Sequence, residues 1–332
     1  MSLSRPMSLS RPLFLLAGIL LFSASLAQAK QTRPCPANPF LDPKDDPCNP
    51  LRYIASNVLT AIAFALIMFV ALTQTWMVRK WGAKFMLSMT IGCYTFAFGI
   101  GTRFGLHVHP ESKGIYIAEY LFTVLSPCAF IASEYVLLGR LARYLGCDKH
   151  LMVSPRWITV VFISSDISTF LVQAAGGSVS ISANTLSLNQ VGSNIFLAGL
   201  VLQLASFLVF TCVFFVFMHR VRSREPEIWN MDASKKWHRD WRTLAGAMVF
   251  SFLGIIIRSA YRVAELSQGF NGRLATTEPF FYGLDTLPLF IAISIYIVFW
   301  PGRYIGDGAP PIVRVVVKEP SIESAPVEPK EG

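Results

Sequence analysis

Residues 258–285, RSAYRVAELSQGFNGRLATTEPFFYGLD, concentrate ionisable side chains between two long apolar runs. Arg258, Arg262 and Glu265 follow spacings of four and three, so on a helix they share one face. Glu278 and Asp285 are seven apart, which predicts a common face for them as well. A charge at membrane depth is costly, turns inward and takes a partner, so each is a functional candidate. The chemistry such a cluster offers is recognition of a lipid headgroup, whose amine seeks the carboxylates while its tail stays against apolar helix surface. The alternative is an internal ion pair, Arg258 or Arg262 with Asp285, that only fixes helix packing.

Further polar groups interrupt other apolar runs. Glu119 stands near the start of the third run, and Pro127 in Ser126-Pro127-Cys128 removes one backbone bond and bends that helix. Glu134 follows toward its other end. Asp166 stands near the centre of the fourth run, with Gln173 on the same face seven residues on, before Ala174-Ala175-Gly176-Gly177. That small-residue run fits either a close helix contact or a flexible loop. The fifth run holds Gly192, Gly199 and Gln203, and the seventh Asp285 and Pro288.

The elements that position these groups are seven apolar segments, at about 53–76, 85–104, 115–138, 157–175, 195–217, 244–263 and 280–300. Each is near the ~20 residues that span a bilayer core and is read as a helix because lipid offers the backbone no partner. The chain has 332 residues, 53% hydrophobic and only 15% charged, with mean hydropathy +0.49. The fold class is therefore an all-α integral membrane protein, a seven-transmembrane helix bundle. Trp76, Trp81, Trp157, Trp241, Trp300 and Tyr304 stand at segment ends and read as interfacial anchors.

The net charge of +9 does not indicate nucleic acid, because the basic residues cluster in short loops. Arg79, Lys80, Lys84, Arg140, Arg143, Lys149, Arg156 and the 220–242 cluster fall in the first, third and fifth connections, while the even connections carry Lys113 and Arg273. The positive-inside rule then sets the N terminus outside and the C terminus in the cytoplasm. Residues 1–29 agree: a basic start, a short apolar run and Ala27-Gln28-Ala29 read as a cleavable signal peptide, with an uncleaved helix as the alternative. The Pro-rich segment 30–52 holds Cys35 and Cys48, either disulfide partners outside the cytosol or two free thiols. Residues 53–303 form the membrane domain, and 304–332 read as a disordered cytoplasmic tail.

Enzyme signatures are absent: no zincin, nucleophile-elbow, phosphate-loop or CxxC pattern occurs, so the chain reads as a non-enzyme with no cofactor. His107 and His109 lack a third metal ligand, and no metal is expected. Any transport is then passive, ion-coupled or driven by another component.

The blocks at 116–140, Asp166-x-x-Thr169-x-x-x-Gln173-x-x-Gly176-Gly177, Gly199-x-x-x-Gln203, Arg258-x-x-Tyr261-Arg262-x-x-Glu265 and Glu278-x-x-x-Tyr282-x-x-Asp285-x-x-Pro288 resemble the fungal lipid-translocating exporters, also called resistance-to-aminocholesterol proteins. The resemblance covers about 52–303; Ser164-Ser165 stands where that family has a familiar Gly before the Asp. It implies a protein that moves amphipathic lipids, sphingoid long-chain bases or phospholipids, toward the outer leaflet and confers lipid or drug tolerance. The implied partners are membrane lipids and the implied location the plasma membrane, with a vacuolar or other endomembrane as alternative. Glu119, Asp166, Gln173, Arg258, Arg262, Glu265, Glu278, Tyr282 and Asp285 are then the expected lining of a headgroup path. A seven-helix receptor or lipid sensor is the competing reading, although Leu138-Gly139-Arg140 replaces the acidic-Arg-aromatic triplet such receptors carry. A third is an accessory protein acting indirectly on lipid asymmetry.

Overall fold

The computed structural model describes residues 38–44, 46, 48–183, 185–232, 240–269 and 272–305. The expected signal segment, Cys35 and the tail from residue 306 lie outside the described residues. Seven helices are long and apolar enough to cross a membrane, and no strand occurs among the described residues. They are α1 (Asn57–Trp81), α2 (Leu87–Val108), α3 (Lys113–Tyr144), α4 (Pro155–Ser182), α5 (Leu186–Arg224) and α6 (Trp241–Ser267). The seventh, α7, opens as one α-turn (Glu278–Phe280), passes through a π-helical turn (Phe281–Thr286) and continues as an α-helix (Leu287–Val298).

Each span packs on the next and α7 closes on α1. The most enclosed is α3, with 67% of its apolar window buried against 33% for α1, α4 and α5; it is the bundle's spine. Its centre meets an aromatic cluster: Tyr135 lies 4.5 Å from Phe210 and Phe210 lies 5.5 Å from Phe252, both edge-on. Outside, Val58, Phe69, Phe98, Val161, Leu202, Val209 and Phe250 are exposed, the large apolar surface that a lipid-facing bundle needs.

Helices α4 and α5 outrun the expected segments. The Ala174–Gly177 run is helical and serves close helix contact: a Cβ on Gly176 would stand 2.5 Å from the Phe196 backbone N of α5. Asn189 donates to the Ser180 carbonyl at 2.9 Å, so the polar start of α5 is satisfied by α4. At 39 residues, α5 is about 58 Å long, well beyond a ~30 Å hydrocarbon core. At its far end Glu225 takes Lys149 at 2.8 Å and His150 at 3.1 Å; the Lys149 bond first, then His150, hold its carboxyl below the usual range.

The anchoring aromatics divide. Trp76 and Trp157 are exposed as expected, but Trp241, Trp300 and Tyr304 are buried. Trp241 is sealed edge-on by Trp229 at 5.6 Å, so these rings close the base of the bundle instead of facing headgroups. Cys48 is disulfide-bonded, whereas Cys93, Cys128, Cys147 and Cys212 are free; Cys35, its expected partner, lies outside the described residues.

Candidate functional site

At the end of the bundle where the N-terminal segment meets the α6–α7 loop, two buried ion clusters flank one aromatic ring. The first is centred on Arg103, near the end of α2 and 0% exposed. Its Nη1 donates to Glu119 Oε1 on α3 at 2.7 Å and its Nη2 to the Tyr53 hydroxyl at 2.8 Å, with Glu278 Oε1 at 3.4 Å. Its guanidinium carbon stands 4.2 Å from the Phe281 ring centroid, a cation–π contact. Glu278 Oε1 also accepts the backbone N–H of Ser56 at 2.8 Å, the residue that caps α1. Set in the first turn of α7, Glu278 thus meets that helix's positive end and ties it to α1 and α2. Burial pushes the Tyr53 phenol up to about 12, so it stays a neutral partner for Arg103.

The second cluster is centred on Asp285, 0% exposed. Its Oδ1 takes Arg262 Nε at 2.5 Å and forms an ion pair with Arg258 Nε at 3.0 Å, although the Arg258 N–H does not point along that contact. Arg262 Nη1 reaches Glu265 Oε2 at 2.9 Å. Arg258 Nη2 donates at 3.0 Å to the carbonyl of Thr123. That oxygen is four residues before Pro127, which has no N–H to offer it; the guanidinium supplies the bond the bent helix lacks. Phe281 separates the clusters, with Arg262 5.5 Å from its ring.

The π turn explains why Glu278 and Asp285 serve different arginines. Spacing alone puts them on one face, but a π turn inserts an extra residue into the helical repeat, swinging Glu278 to Arg103 and Asp285 to Arg258 and Arg262. Tyr282, within that turn, shares a 2.9 Å hydrogen bond with Thr60 of α1.

Between the clusters lies a cavity of about 680 Å3, counting its open mouth. Arg103, Glu119, Arg262 and Glu265 give its walls both signs of charge; Tyr53, Tyr116, Tyr120, Phe196 and Phe281 give them aromatic surface. Pro50, Leu51, Gly269 and Ala275 also line it, so the segment that carries the disulfide-bonded Cys48 contributes to its wall. Of the expected path residues, Glu119, Arg262 and Glu265 line the cavity, while Arg258, Glu278, Tyr282 and Asp285 are not among its lining. Asp166 and Gln173 are elsewhere: Gln173 Nε2 donates to Gln203 Oε1 at 2.8 Å and Gln203 Nε2 reaches Cys128 Sγ at 3.2 Å, bracing α4, α5 and α3. Glu134, lower on α3, accepts from Ser251 at 2.6 Å and Tyr296 at 2.7 Å.

Arg103 is absent from the sequence expectation, although the rule that singled out Arg258 applies equally to a charge inside the second apolar run. The cavity tyrosines carry no spacing signal. Among the described residues no group of His, Cys, Asp or Glu is arranged to hold a metal. His107 instead places Nδ1 2.6 Å from the Ala55 carbonyl oxygen.

A bundle of seven helices long and apolar enough to cross a membrane, with an apolar exterior, defines an integral membrane protein. The family described as "RTA1 like protein" matches residues 89–307, and the chain belongs to that family. It is 30% identical to Protein RTA1 of Saccharomyces cerevisiae over 210 residues, 63% of this chain and 63% of that protein. It is 30% identical to Protoporphyrin uptake protein 1 of Saccharomyces cerevisiae over 216 residues, 65% of this chain and 67% of that protein. It is 25% identical to the Sphingoid long-chain base transporter RSB1 of Saccharomyces cerevisiae (strain YJM789) over 275 residues, 74% of this chain and 71% of that protein. No solved structure matches the chain.

Proposed function

We propose that this protein is a membrane transporter that moves amphipathic lipids, sphingoid long-chain bases or phospholipids, toward the outer leaflet and so confers tolerance to toxic lipids or drugs. The observation that carries the reading is the cavity between the Arg103 and Arg262 clusters. Its charges of both signs suit a zwitterionic or amine-bearing headgroup, and its aromatic walls suit the first carbons of a chain. The relatives named for sphingoid base transport and protoporphyrin uptake share one chemistry of cargo, a charged group on a large apolar body.

In this reading the cavity end faces outward. The Cys48 disulfide supports it, since such bonds persist outside the reducing cytosol, and the basic loops at the opposite end fit the cytoplasmic side. The C terminus is then cytoplasmic and the plasma membrane is the site of action. Arg103 and Arg262, held by their own carboxylates, present a preformed polar surface that exchanges one internal partner for a headgroup without stranding a charge in the bilayer. Purified full-length protein in liposomes tests this. It is expected to move a fluorescent long-chain base or phospholipid between leaflets faster than empty vesicles; equal rates would refute direct transport.

A further inference from the structure

We propose that Asp166 is a proton-binding site, and that its protonation couples lipid movement to the proton gradient. Asp166 stands on α4 about 16 Å along the helix from Pro155, near the middle of a span of 28 residues, and is 3% exposed. Neither carboxyl oxygen has a hydrogen-bond partner, and no Lys, Arg or His pairs with it among the described residues.

Among the described residues, the other carboxylates buried within the spans are provided for. Glu119 has Arg103, Asp285 has Arg258 and Arg262, and Glu134 has two hydroxyl donors. Asp166 alone among these lacks both a cation and a donor. An uncompensated carboxylate in an apolar interior takes up a proton instead of remaining charged.

The titratable groups that face Asp166 are the Tyr135 hydroxyl and the Cys128 thiol, both on α3. Arg258 of α6 approaches Cys128 from beyond it, but its charge is engaged by Asp285. From α5 the nearby groups are the uncharged Gln203 and Ser206. The Tyr135 hydroxyl is buried and itself unpartnered, so it is free to donate when Asp166 is ionised. The step is a simple association: the carboxylate oxygen gains a proton, becomes neutral and no longer draws the Tyr135 O–H toward α4. Because α3 also carries Glu119 and Tyr120 of the cavity wall, the contact between α3 and α4 links the proton to the headgroup site. Nothing in the chain binds ATP by a recognisable loop, and a proton gradient supplies drive without one. The coupling rests on the transport reading above; the proton site does not.

Two measurements on reconstituted full-length protein separate these. In infrared spectra taken across a pH titration, the wild type is expected to show the C=O stretch of a protonated carboxyl that disappears on raising pH and is missing in Asp166→Asn. Tyr135→Phe, which removes the donor available to the ionised form, is expected to move its midpoint to higher pH. In vesicles, the probe is an N-trimethylated fluorescent sphingoid base, whose own charge does not respond to pH. A one-unit pH gradient is expected to shift its leaflet distribution by up to about tenfold in the wild type if one proton moves per lipid. Asp166→Asn is expected to equilibrate the probe but show no shift. A spectrum in which neither Asp166→Asn nor Tyr135→Phe alters any carboxyl band would overturn the proton site, and an undiminished gradient response in Asp166→Asn would overturn the coupling. If no variant and no wild-type protein moves the probe, the transport reading and the coupling fall together, and the infrared band still decides the site.

Discussion

Replacing Asp285 with Asn removes the carboxylate that Arg258 and Arg262 share. Asp285 is fully buried and contacts Arg262 at 2.5 Å and Arg258 at 3.0 Å. Among the described residues the variant leaves those two cations with Glu265 as the only carboxylate bonded to either, at 2.9 Å from Arg262. Breaking a buried pair by removing one partner costs about 3–5 kcal/mol, and each kcal/mol lowers the midpoint of a chain this size by about 2–4 °C, so a fall of about 10 °C is expected. Adding Arg258→Met restores the balance of Arg262 with Glu265 while giving up the bond to the Thr123 carbonyl, itself worth about 1–3 kcal/mol. The double variant is therefore expected to fall short of the sum of the singles by about 1–3 kcal/mol. A thiol-reactive dye that reports exposure of buried Cys93 and Cys147 on heating, measured in detergent against the constant signal of exposed Cys212, reads each midpoint. Unchanged stability in Asp285→Asn, or strict additivity in the double variant, would refute the shared-carboxylate reasoning.

Arg103→Lys keeps the charge but loses the fork that reaches Glu119, Tyr53 and Glu278 together; weaker lipid binding in a fluorescence titration is expected, with Arg103→Met weaker again. Gly192→Val places a branched side chain against the Ser180 backbone of α4, and a loss of at least about 1–3 kcal/mol is expected in thermal melts. Cys48→Ser removes the disulfide two residues from cavity-lining Pro50 and is expected to cost about 2–4 kcal/mol; the same loss should follow when the wild type is reduced, while the variant should not respond to reductant.

The spans were legible because their apolar runs are long and because lipid leaves the backbone no alternative to a helix. The Arg258, Arg262 and Glu265 face was legible for a related reason: α6 is a regular helix throughout, so spacing translates directly into direction. Spacing failed where the repeat changes. The π turn at Phe281–Thr286 has no residue signature in Phe-Tyr-Gly-Leu-Asp-Thr, yet it decides which arginine Glu278 meets. Grouping Asp166 and Gln173 with the charged path required knowing which helices touch, and hydropathy does not encode neighbours across a bundle. The buried positions of Trp241 and Trp300 show the same limit, since a ring at a segment end has the same sequence context whether it faces headgroups or a neighbouring loop. Arg103 was readable in principle, since it falls inside the second apolar run and the rule for a charge at membrane depth applies to it directly.

The claim that cargo enters the cavity between the Arg103 and Arg262 clusters is tested most directly by filling that cavity without touching a charge. Leu266 lines it from the end of α6, and Leu266→Trp adds bulk there while leaving each ion pair in place. In proteoliposomes carrying a fluorescent long-chain base, the account predicts that this variant, still folded by its thermal midpoint, moves the label no faster than empty vesicles. A Leu266→Trp protein that moves it at the wild-type rate would contradict the account.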